Sequence, residues 1–148
     1  MLAGALVGAT LAAAGVVMQA LLRNPLATPF TLGVSAGAAL GAILVITFGG
    51  GIALGAVSPV PLASLAGALV ATVLVYMLAT RPGRAISTTV LLLAGVTLNA
   101  FFSALILFVQ YLADFTQTYR TTRWLMGDLD VGSFDPILAA LPLVLASL

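Results

Sequence analysis

Residues 4–42 read GALVGATLAAAGVVMQALLRNPLATPFTLGVSAGAALGA, two apolar runs on either side of one short polar interruption. The first run extends from Leu2 to Leu22, about the 20 residues a helix needs to cross a bilayer core. It stops at RNPLATP, Arg23 to Pro29. Proline removes a backbone donor, and its ring pushes the preceding residue out of the helical region. Pro25 and Pro29 after Asn24 therefore end one helix and restart another. The second run, Leu32 to Phe48, opens with Gly33, Ser35, Gly37 and Gly41. Gly33, Gly37 and Gly41 recur every four residues, so on a helix they share one face. Small residues on one face of a membrane helix let a second backbone come close. Close helix packing is the expected role of the stripe, and a locally unwound helix is the other. Gly4 and Gly8 make a similar small face on the first run.

Outward from this stretch the pattern continues. Hydrophobic residues make up 62% of the 148 positions and charged residues 6%, far below the quarter or so that soluble domains carry. That is too little polar surface to cover a soluble fold, so lipid is the expected solvent. Gly49–Pro61 reads as fraying and a turn. A third span is expected at Leu62–Leu78, a turn at Thr80–Arg84 and a fourth span at Thr89–Tyr111. Asn99 lies near the middle of that fourth span. An amide in hydrocarbon must find a partner, so Asn99 either braces a neighbouring helix or lines a water-filled path. Asp114 to Asp135 is the one long polar segment. A surface helix is expected near Gln117–Met126, ended by Gly127, with Arg120, Arg123 and Trp124 as anchors at the membrane interface. An apolar run restarts at Pro136 but is too short to cross by Leu148, so the sequence reads as part of a longer chain.

The expected fold is an all-α polytopic transmembrane bundle with at least four spans and almost no strand. Alternating spans put Arg23, Arg81 and Arg84 on one side, and Arg120, Arg123 and all four aspartates on the other. The rule that basic loops stay inside makes the first side cytoplasmic.

Several chemistries are excluded. There is no cysteine or histidine, which removes disulfides, the commonest metal ligands and the commonest general base. Serines have no lysine or histidine to activate them, and no phosphate-binding loop of the G-x-x-x-x-G-K-[ST] type is present. No catalytic residue, metal or cofactor is expected, and a net charge of +1 gives no reason to expect nucleic acid as a partner.

GVVMQALLRNPLATPFTLGVSAGA, Gly15 to Ala38, strongly resembles the FecCD family of ABC permeases, importers of iron–siderophore, haem and cobalamin. LLLAGVTLNAFFSALI, Leu91 to Ile106, resembles their fifth helix, and RWLMGDLDVGSFD, Arg123 to Asp135, the segment before their sixth. The resemblance implies a fragment of a ten-helix importer permease subunit, with residues 1–148 covering about helices two to five and the start of helix six. It implies a location in a bacterial or archaeal cytoplasmic membrane. It implies four kinds of partner: a second permease subunit, two cytoplasmic ATPase subunits, an extracytoplasmic substrate-binding protein and membrane lipid. By resemblance, Arg23, Asn24, Pro25 and Pro29 form the cytoplasmic turn, and Gly33, Ser35 and Gly37 start the third helix. The segment around Arg120, Arg123, Trp124 and Gly127 contributes to an external gate. Two other classes remain: a small accessory membrane protein, and a secondary transporter, which would need ion ligands at midplane.

Overall fold

The computed structural model describes residues 1–49, 58–80, 87–127 and 141–142. Its chain separates into two compact units, Met1–Ala27 with Met126–Leu148, and Thr28–Leu125. All regular structure among the described residues is helical. The apolar run expected from Pro136, the aspartates at 128, 130 and 135, and the arginines at 81 and 84 lie outside them, as does most of the Gly49–Pro61 connection.

In the first unit, α1 spans Leu2–Leu22. A run rich in alanine and leucine, both strong helix formers, sustains it. The following Arg23 takes left-handed angles, φ 47 and ψ 38. Among the described residues, a Cβ built on Gly8 or Gly15 would meet no atom within 4 Å beyond the helix's own nearby backbone.

In the second unit, a 3₁₀ turn η1 (Pro29–Leu32) leads into α2 (Val34–Phe48), followed by α3 (Pro59–Ala79), α4 (Thr88–Leu112) and α5 (Phe115–Met126). Among the described residues, three helices are long and apolar enough to cross a membrane: α1, α3 and α4. The second expected span is shorter than the sequence suggests. Pro29 and the left-handed Gly33 (φ 71) take up its start as a 3₁₀ turn and a cap. The 15 residues of α2 then rise only about 22 Å against the roughly 30 Å of a hydrocarbon core. The expectation of four full spans is thus met by three among the described residues.

A second boundary also moves. Pro59 and Pro61, read from the sequence as part of a turn, sit in the first turn of α3. The first helical positions need no backbone donor, so proline is at home there. The Ser58 hydroxyl caps the end by accepting from the Val60 N–H at 3.4 Å.

α2 packs chiefly on α3 and then on α4. The buried residues are mostly small or aliphatic: Ala42 and Ile43 on α2, Ala71 and Val75 on α3, Leu98 and Phe102 on α4. The outward faces are just as apolar. Leu65, Leu69, Val73 and Met77 on α3 and Leu93, Val96, Phe101 and Phe108 on α4 are all exposed. Apolar surface this extensive marks contact with lipid or with other protein. Here it lies on helices long enough to span.

Candidate functional site

Asn99 on α4 apart, the residues that the sequence singles out fall into three places. The first is the turn after α1. The Arg23 N–H donates to Ala20 O at 3.3 Å and the Asn24 N–H to Gln19 O at 3.2 Å, a nested pair that satisfies two of the last carbonyls of the helix. The Asn24 side chain accepts from the Leu26 N–H at 3.0 Å, and Asn24 O from the Ala27 N–H at 3.1 Å. Side chains like Asn close such turns on their own backbone. Gln19, not among the residues expected in this turn, also closes it: its Nε2 reaches over the turn to donate to Pro25 O at 2.9 Å. The signal was an amide one turn before the helix end, facing a proline whose carbonyl has no ladder to join. Arg23 itself is exposed and is the only non-glycine residue among the described ones with positive φ.

The second place is the start of α2. Thr31 N–H and Oγ1 both donate to Thr28 O, at 3.0 Å and 2.6 Å, which fixes η1. Gly33 then lies against α4: a Cβ built there would be 3.1 Å from Gly95 O and 3.2 Å from the Asn99 N. Gly37 and Gly41 do not share that neighbour. A Cβ on Gly37 would lie 2.5 Å from Ala71 Cβ and 2.7 Å from Gly67 O, and one on Gly41 would overlap Ala63 O. The structure thus divides the four-residue stripe between two helices, Gly33 to α4 and Gly37 with Gly41 to α3. Gly67 and Gly95, the opposing surfaces, were not picked out by spacing. Ser35 is half-buried in the first turn of α2.

Asn99 is half-buried on α4, and its carbonyl accepts from Ser103 Oγ at 2.8 Å. At 100° per residue, Asn99, Ser103 and Gln110 fall along one side of the helix. The other hydroxyls of α4 are Thr88 and Thr89 at its start, Thr97 and, near its end, Tyr111.

The third place is α5. Asp114 opens it, with Oδ1 accepting from the Gln117 N–H at 2.8 Å. It ends at Met126, followed by Gly127 at φ 75, where a side chain would be strained. Arg123 lies in the last turn, which suits the negative end of the helix dipole. Arg120 and Trp124 line a cleft of about 410 Å³ with Val45, Ile46, Gly49 and Ser58.

Long apolar helices, apolar outward faces and glycine-mediated backbone contacts together define a multi-pass α-helical membrane protein. The chain belongs to the FecCD transport family, whose model matches residues 1–148. It is 40% identical over 141 residues to the cobalamin import system permease protein BtuC of Halobacterium salinarum, covering 95% of this chain and 37% of that protein. It is 43% identical over 130 residues to the vitamin B12 import system permease protein BtuC of Escherichia coli, covering 85% of this chain and 37% of that one. Among solved structures it is similar to an inward-facing conformation of an ABC transporter assigned to the metal-chelate type. That match has a TM-score of 0.80 and 31% identity, over 98% of this chain and 44% of the other. The chain therefore spans well under half the length of the relatives it matches.

Proposed function

We propose that the chain is part of the membrane-spanning permease subunit of an ATP-binding cassette importer, carrying a cobalamin-type or metal-chelate ligand into the cytoplasm. The observation that carries this reading is the family match along the whole of residues 1–148, joined to two relatives that bear the names of cobalamin and vitamin B12 import permeases. In this reading residues 1–148 supply about helices two to five and the start of helix six of the subunit. A second permease subunit completes the path, two ATPase subunits dock on the cytoplasmic side, and an extracytoplasmic binding protein delivers the ligand. No phosphate-binding loop occurs in the chain, so ATP hydrolysis belongs to the partners. The polar side of α4 through Asn99, Ser103 and Gln110 is the part of this chain best suited to face a wet path. Arg23–Pro29 is the cytoplasmic turn, and α5 lies on the extracytoplasmic side.

The test is uptake by the full-length permease reconstituted with its ATPase and binding protein. Cobalamin or a ferric siderophore should enter vesicles with ATP and stop when the ATPase is inactivated. Uptake driven by an ion gradient alone would contradict the reading and favour a secondary transporter.

Sidedness is tested separately. The sequence contains no cysteine, so single cysteines report without background from this region. Thr28→Cys, exposed in the structure, should resist a membrane-impermeant maleimide applied to intact cells or right-side-out spheroplasts. Thr116→Cys, exposed on α5, should react. The opposite pattern would invert the topology.

A further inference from the structure

One side chain joins α5 to the end of α2. Gln117 stands in the first turn of α5. Its Oε1 accepts from the Asp114 N–H at 3.1 Å, and its Nε2 donates to Thr47 O at 2.9 Å. Thr47 lies in the last turn of α2, where carbonyls have no partner within the helix. A single amide therefore satisfies an orphan donor at the start of one helix and an orphan acceptor at the end of another. One turn further on, Thr121 is fully buried, with its hydroxyl turned back onto Thr118 O at 2.9 Å. Nothing polar doubles the bond at its far end: the Thr47 hydroxyl is buried without a hydrogen-bond partner among the described residues. Elsewhere on α5, Phe115, Tyr119, Arg120 and Trp124 are exposed. Among the described residues, Gln117 makes the side-chain hydrogen bond that crosses from α5 to α2, and Thr121 is the buried residue of α5.

We propose that Gln117 is the positioning residue that seats α5 on the end of α2, and that loss of the bond from Gln117 to Thr47 loosens this seat and uncovers Thr121. Two helix ends are then coupled. Any shift of the last turn of α2 away from α5 loses the bond, and any tilt of α5 uncovers Thr121. The consequence for transport rests on the importer reading, in which α5 carries Arg120 and Trp124 toward the delivering protein. The seat itself does not depend on that reading.

Two substitutions separate the seat from the helix cap. At neutral pH Gln117→Glu keeps an oxygen to accept from the Asp114 N–H but has no N–H for Thr47 O. Gln117→Leu loses both. Thr121→Cys, introduced into the full-length permease in membranes, measures seating by its reaction with an impermeant maleimide. It should react slowly beside Gln117 and about tenfold faster beside either substitution, the shift expected for loss of one ordinary net hydrogen bond. Thr116→Cys, already exposed, should react equally in all three backgrounds. Equal protection of Thr121→Cys in all three would overturn the proposal. So would opening by Gln117→Leu alone, because the cap rather than the seat would then be responsible. A second measurement needs no cysteine: amide hydrogen exchange across residues 115–126 should quicken in Gln117→Glu, and an unchanged rate there would also overturn it. Neither measurement needs ATP or ligand. Opening of the seat in a protein whose unmodified form takes up no ligand would keep the latch and remove the importer reading.

Discussion

Gly67→Leu is expected to remove most of the folded, assembled protein. A Cβ on Gly67 would overlap the Gly37 carbonyl oxygen and lie 3.3 Å from Gly41 Cα. Both are backbone atoms, so no rotamer change relieves the contact, and the two helices must separate. Separation forfeits the dispersion contacts along α2 and α3. Without a hydrophobic driving force between helices in lipid, those contacts are much of what holds the pair. Overpacking a well-packed site costs about 1–3 kcal/mol and sometimes more. Backbone against backbone belongs at the upper end, roughly 3 kcal/mol or beyond. Gly37→Leu should behave alike, since its Cβ would meet Ala71 Cβ at 2.5 Å and Gly67 O at 2.7 Å. Leu69→Ile, on an exposed position of α3, should change little. Fluorescence-detected size exclusion compares the three directly. An undiminished assembly peak for Gly67→Leu would exclude close packing here. A normal peak with lost uptake would instead make the α2–α3 contact a moving part of the pathway.

Gly95→Val is expected to have the next largest effect, at a different junction. A Cβ on Gly95 would lie 2.5 Å from Thr31 O and 2.7 Å from Leu32 Cα. The η1 turn comes closest to α4 at this glycine, and Gly33 in turn lies against Gly95 and Asn99. Valine adds two methyl groups to a Cβ that already has no room. The turn must lift, which disturbs the Thr28–Thr31 hydrogen bonds and the left-handed cap of α2 together. The expected cost is about 2–3 kcal/mol, from the same overpacking range. Gly33→Ala should cost about 1–2 kcal/mol, mostly from holding an L-residue in the left-handed region. Thermal unfolding of the purified full-length protein in detergent should rank Gly95→Val below Gly33→Ala, and both below exposed Leu93→Ile. Equal melting of Gly95→Val and Leu93→Ile would show that η1 does not bear on α4.

How much of this was legible beforehand depends on range. α1 ran from Leu2 to Leu22 as expected because a long apolar run and the Asn24–Pro25 stop are both local signals. Met126 and Gly127 marked the end of α5 for a similar reason. Pro59 and Pro61 misled the boundary of α3, because proline breaks a helix interior yet suits a first turn, and only the cap at Ser58 separates the two cases. α2 lost its first residues to a 3₁₀ turn because η1 makes close contact with α4 at Gly95, which lies far along the chain. Gln19 and Gln117 were passed over as sites for a related reason: an amide shows its use only when the carbonyl it reaches is in place.

The sequence by itself determined the solvent, the helical class, the family resemblance and the absence of histidine and cysteine chemistry. Those follow from composition, from the length of apolar runs and from motifs that are contiguous in the chain. Tertiary structure alone decided which helix each glycine meets. Gly33, Gly37 and Gly41 look alike in spacing, but Gly33 faces α4 while Gly37 and Gly41 face Gly67, Ala63 and Ala71 on α3. A glycine carries no side chain to reveal its neighbour. Its role is set by the backbone that approaches it, and that backbone belongs to another helix.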